Sequence, residues 1–117
     1  MISYGRQSID EDDIASVVDA LRGDWLTQGP SIERFEEAVA QYVGAKYAIA
    51  YSSGTSALHG AAAAAGLGPG DVVATSPLTF MASANAARFV GAKPMLVDIC
   101  KDTWNMSMSA VPQNVRA

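Results

Sequence analysis

Basic residues are scarce in this sequence. Eight lysines and arginines stand against twelve aspartates and glutamates, a formal net charge of −4 over 117 residues. A nucleic-acid binder neutralises phosphates with a basic patch, and nothing here could build one. Cysteine and histidine occur once each, as Cys100 and His59. One thiol forms no internal disulfide, which suits a reducing cytosol, and two lone residues far apart give no metal-ligand spacing. No apolar run reaches the roughly 18 residues that a membrane span needs. The opening MISYGRQSIDEDD is polar and acidic, unlike a signal peptide. These absences predict a soluble, cytoplasmic protein with no nucleic-acid or membrane partner. No Gly-Lys-Ser/Thr occurs, which excludes the phosphate loop of nucleoside triphosphatases. Gly66, Gly68 and Gly70 alternate, but they follow a helix and precede a strand, the reverse of a dinucleotide fingerprint.

What is present is apolar. Half of the residues are hydrophobic and 17% are charged, enough for a sizeable core in one domain or a piece of a larger one. SIDEDDIASVVDALRGD reads as a helix, with Ser8 or Asp10 as its cap, three acidic residues in its first turn and Gly23 as its stop. DWLTQGP breaks the pattern, and SIERFEEAVAQYVG follows as a second amphipathic helix. AKYAIAYSS predicts a strand, TSALHGAAAAAG a helix, VVATSP a strand, TFMASANAARFVG a helix and KPMLVDI a strand. This alternation implies a parallel α/β arrangement with crossovers. No closing helix follows the last strand. The chain is expected to be the first part of a larger α/β domain, cut before its sheet is complete.

Between the first predicted strand and its helix stands Ser52-Ser53-Gly54-Thr55-Ser56. Ligands of open α/β sheets bind outside the strand ends, and a helix start offers free amides and a positive dipole to an anion. Gly54 admits a close backbone approach, and Thr55 and Ser56 offer hydroxyls. A plain N-cap explains the same residues. Phe80, at the start of a predicted helix over the sheet, reads as ordinary core packing. His59, one turn beyond the serines, is expected to be a buried structural histidine.

Taken in order, DWLTQGPSIERFEEAVAQYVGAKYAIAYSSGTSALHGAAAAAGLGPGD and TSPLTFMASANAARFVGAKPMLVDI resemble the start of the DegT/DnrJ/EryC/StrS family over about residues 2 to 105. The resemblance implies the N-terminal part of the large domain of a type I, aspartate aminotransferase-like transferase. It also implies pyridoxal phosphate (PLP), amino transfer to a sugar nucleotide, and a homodimer with sites near the subunit interface. ISYGRQSIDEDDI, LTQGP and TSPLTF most resemble a branch that transfers an amino group from glutamate to C4 of a UDP-linked 4-keto-6-deoxy-N-acetylhexosamine. That step leads toward pseudaminic acid, a sugar of bacterial surface glycans.

Matched residue by residue, the resemblance gives Gly54 and Thr55, with Ser56, to the PLP phosphate. It gives Phe80 to the face of the pyridine ring. It gives the sugar-nucleotide pocket to Asp24, Trp25, Leu26 and Thr27, with Tyr4 and Ser53 as further substrate contacts. Trp25 and Leu26 equally suit a loop anchored to its domain. The family also needs a lysine that forms a Schiff base with PLP and a carboxylate on the pyridine nitrogen. Neither motif is matched within these 117 residues, and Lys46, Lys93 and Lys101 match no nucleophile position, so no catalytic residue is expected among them. Some members carry histidine in place of that lysine and act as sugar dehydratases. A non-catalytic module that binds a sugar nucleotide or scaffolds a partner also suits these residues.

Overall fold

The computed structural model describes residues 5–113 and 115. The chain divides into two compact units, Met1–Ala50 and Tyr51–Ala117.

The first unit is built on two helices. Helix α1 spans Glu11–Arg22, and its cap is Asp10 rather than Ser8. The Asp10 carboxylate accepts from the Asp12 and Asp13 amides at 3.1 and 3.0 Å, while the Asp13 carboxylate accepts from the Asp10 amide at 3.1 Å. This reciprocal box satisfies donors that a helix start otherwise leaves open. Helix α2 spans Pro30–Val43 with Pro30 in its first turn, where its fixed φ and missing N–H cost nothing.

The strand expected at 45–53 is absent. A strand needs a neighbouring strand for its amides and carbonyls, and among the described residues this segment pairs with none; its backbone bonds lie at helix ends, from the Ala45 amide to the Ala40 carbonyl at 2.9 Å and from the Ala57 amide to the Ser53 carbonyl at 3.0 Å. The Ala50 amide instead donates to the Glu36 carboxylate at 2.7 Å. The boundary between the two units falls inside this segment.

The second unit is a small α/β layer. Helix α3 spans Gly54–Ala64, strand β1 Val72–Thr75, helix α4 Ala82–Phe89 and strand β2 Lys93–Leu96, before a 3-10 turn at Met108–Ala110. The strands pair in parallel, with Val72 opposite Lys93 and Thr75 opposite Leu96. Helix α4 packs on both strands and on α3. The helix expected at 79–91 is shorter, Ala82–Phe89, and is preceded by a turn in which the Ser76 hydroxyl accepts from the Leu78 amide at 3.0 Å. An antiparallel bridge between Ile99 and Met106 closes the loop after β2.

Buried apolar residues are Ala40, Ala62, Ala82, Ala86, Ala87, Ala92 and Val97. Small side chains let α4 lie close to the sheet, but each alanine buries about one methyl group, worth roughly 0.8 kcal/mol. The sizeable core expected from composition is therefore not formed by the described residues. Phe35, Tyr42, Leu58 and Leu96 are exposed, since no element among the described residues covers their faces. No described helix is long and apolar enough to cross a membrane, and no described group of three ligands could hold a metal ion.

Candidate cofactor and substrate site

At the start of α3 the serines serve one another. Ser53 is the N-cap, its hydroxyl accepting from the Ser56 amide at 3.2 Å and lying 3.0 Å from the Ser56 hydroxyl. The Ser52 hydroxyl stands 3.5 Å from the same group. The plain-cap reading therefore describes Ser53 and Ser56. Gly54 and Thr55 differ. Among the described residues neither amide has an acceptor, and the Thr55 hydroxyl has no partner. These are the open donors of a helix start, at the positive end of the dipole.

Gly54 and Thr55 line a hollow of about 640 Å³ together with Leu58 and Ala61 of α3, Phe80, and Ser83 of α4. Its lining is largely apolar around the polar helix start. Phe80 is 74% exposed, which overturns its reading as core. Its position is set by the backbone: the Phe80 carbonyl accepts from the Ser83 amide at 3.0 Å, and the Thr79 and Ser83 hydroxyls meet at 3.0 Å on either side of it. His59 is likewise not buried. It is exposed and tilts against Phe89, with ring centroids 5.3 Å apart.

In the first unit, Asp24 and Trp25 line a hollow of about 490 Å³ with Ser16 and Asp19 of α1 and Ser31 and Arg34 of α2. Arg34 donates to the Ser31 hydroxyl at 3.2 Å. Two carboxylates, a guanidinium and two hydroxyls suit a polar ligand. The sequence reading missed Ser16, Asp19 and Arg34, although the i, i+3 spacing of Ser16 and Asp19 places them on one helical face. Leu26 and Thr27 are exposed and do not line this hollow. The loop turns sharply, with φ of 61° at Gln28 and 90° at Gly29. A Cβ on Gly29 would lie 2.8 Å from the Trp25 Cβ, so Trp25 folds back over a residue that must be glycine. Tyr4 lies outside the described residues.

Lys46, Lys93 and Lys101 are all exposed, and Lys46 Nζ lies 5.0 Å from the Tyr47 ring centroid. The Cys100 thiol is held below its ordinary value of 9.0 by hydrogen bonds from the Asp102 and Thr103 backbone.

The sequence places this arrangement. Residues 7–117 match the model of the DegT/DnrJ/EryC1/StrS aminotransferase family. The chain belongs to that family. It is 43% identical over 105 residues to the spore coat polysaccharide biosynthesis protein SpsC of Bacillus subtilis, covering 90% of this chain and 27% of that one. It is 46% identical over 102 residues to the UDP-4-amino-4,6-dideoxy-N-acetyl-beta-L-altrosamine transaminase of Campylobacter jejuni, covering 87% of this chain and 27% of that one. Its fold matches a Streptococcus pneumoniae protein solved in a PLP form, with a TM-score of 0.86, 33% identity, and coverage of 94% and 29%. It also matches Helicobacter pylori PseC, an aminotransferase involved in the biosynthesis of pseudoaminic acid, with a TM-score of 0.84, 30% identity, and coverage of 93% and 30%. The chain spans about a quarter of the length of the curated relatives it matches.

The fold is thus the α/β N-terminal part of a PLP-dependent transferase large domain, and PLP is the cofactor of the family. The residues present fit that group. Two amides and a hydroxyl without partners among the described residues suit its phosphate, and an exposed aromatic ring on the same hollow suits its pyridine.

Proposed function

We propose that residues 1–117 form the N-terminal segment of the PLP-binding large domain of a sugar-nucleotide aminotransferase. The enzyme moves an amino group from glutamate to C4 of a UDP-linked 4-keto-6-deoxy-N-acetylhexosamine, toward pseudaminic acid and surface glycans. The observation that carries the reading is the meeting of Gly54, Thr55 and Phe80 on one hollow. The Campylobacter transaminase, whose name specifies a UDP-linked 4-amino sugar, and PseC support the choice of substrate.

In this reading the Gly54 and Thr55 amides and the Thr55 hydroxyl bind the phosphate, with Ser56 contributing through its place in the first turn. Phe80 lies against the ring and excludes water from one face. Bound PLP supplies an electrophilic carbonyl and a ring that accepts electrons. Asp24 and Trp25 orient the sugar nucleotide from their own hollow, with Leu26, Thr27, Ser53 and Tyr4 as further contacts. The nucleophilic lysine comes from outside these residues, and the working enzyme is a cytoplasmic homodimer.

The test uses the full-length protein with PLP, L-glutamate and the UDP-linked 4-keto sugar. The expected result is a UDP sugar carrying a new amine at C4, identified by mass and NMR. PLP uptake with no amine formed from this sugar would refute the substrate, and no PLP uptake would refute the reading itself.

A further inference from the structure

Helix α3 is rich in alanine, the best helix former, yet carries glycine at position 60, in mid-helix. Glycine there weakens a helix, so its presence asks for a spatial reason. The reason is Tyr51. A Cβ built on Gly60 would lie 2.8 Å from the Tyr51 Cε1, and closer still to its Cζ and hydroxyl oxygen. Among the described residues, no other glycine of the second unit meets a side chain so closely. Tyr51 is also the residue immediately before Ser52-Ser53-Gly54, the turn that opens α3. Its ring reaches along the helix and rests where a side chain is missing.

We infer that Tyr51, seated on Gly60, is a positioning residue for the PLP-phosphate cradle. The inference rests on the cofactor reading proposed above. The turn's other restraints among the described residues are local: the Ser56 amide and hydroxyl meet the Ser53 hydroxyl, the Ala57 amide donates to the Ser53 carbonyl at 3.0 Å, and the Ser52 hydroxyl makes only a contact at the limit of hydrogen bonding. A ring laid against Gly60 ties the entry of the turn to the helix about two turns further on. The direction of the Gly54 and Thr55 amides follows from that tie. Amide bonds to a charged acceptor depend steeply on alignment, so a small rotation of the turn weakens phosphate binding without touching any donor. Tyr51 itself is absent from the lining of the hollow, which separates its role from that of a ligand contact.

The test is a double-mutant cycle in the full-length protein, reading PLP affinity by absorbance titration and stability by thermal melting. Gly60→Ala should raise the melting temperature, since the half-exposed ring can swing into solvent and alanine favours the helix. The same variant should weaken PLP binding roughly tenfold, the scale of one misaligned charge-assisted hydrogen bond. Tyr51→Ala should weaken it similarly, and the double variant should be no worse than Tyr51→Ala alone. Opposite movements of stability and affinity are the signature, because a merely structural contact would move both together. Unchanged affinity in Gly60→Ala, with affinity lost in Thr55→Ala, would overturn the inference and leave the cradle standing. Additive losses in the double variant would overturn the coupling of Tyr51 to Gly60. A wild-type protein that takes up no PLP would overturn the inference together with the cofactor reading.

Discussion

Thr55 and its neighbour Ser56 show how one atom's partners separate two roles. The Ser56 hydroxyl already meets Ser53, whereas the Thr55 hydroxyl has no partner among the described residues and can donate to an incoming oxygen. Thr55→Ala in the full-length protein should therefore cost roughly 1.5–3 kcal/mol of PLP affinity, the range for a hydrogen bond to a charged group. An apoenzyme titration checks this, and an unchanged dissociation constant would return Thr55 to simple helix initiation. Phe80 poses a different question because it is mostly exposed. Removing an exposed ring opens no cavity, so Phe80→Leu should leave the melting temperature nearly unmoved while PLP affinity and turnover fall. A melting loss with affinity intact would mean that the ring packs within the full protein instead.

Among the elements, the loop between α1 and α2 is the most constrained. Gly29 combines a left-handed backbone with direct contact to Trp25, and both features disfavour any Cβ. Gly29→Ala should destabilise the first unit by roughly 1–3 kcal/mol through backbone strain and displace the indole. Chemical denaturation followed by tryptophan fluorescence reports both effects. A variant with wild-type stability and an unshifted emission spectrum would show that the Trp25–Gly29 contact does not shape the loop. In the full-length enzyme the same substitution should raise KM for the sugar nucleotide more than it lowers kcat, because the loop lines the proposed substrate hollow.

For the whole molecule, the distribution of burial matters more than any single contact. The described core is alanine and one valine, while many large apolar side chains remain exposed. Patches of that kind mark surfaces that meet other protein. The lysines follow the same logic. A Schiff-base lysine must lose its proton near neutral pH, which calls for desolvation or a neighbouring cation. Lys46, Lys93 and Lys101 are exposed. Borohydride reduction of the full-length protein with PLP, followed by peptide mapping, should leave all three unlabelled. Stoichiometric label on any one of them would overturn the placement of the nucleophile outside residues 1–117.

The sequence alone determined whatever depends on neighbours along the chain. The acidic start of α1 and a hydroxyl cap before α3 are legible because capping involves residues two or three apart, whereas Pro30, read as part of the loop, opens α2 instead. The open donors of Gly54 and Thr55 follow from the same local geometry. The motifs around them also carried the family resemblance, which the family match bears out. The tertiary structure decided what depends on distant partners. It denied a ladder to residues 45–53, gave the Ala50 amide to Glu36, exposed His59 and brought Phe80 beside Thr55. It also seated Tyr51 on Gly60, a pairing that a row of alanines with one glycine cannot reveal. Strand pairing and ring placement are fixed by atoms far apart in sequence, and their energies exist only once the chain has brought those atoms together.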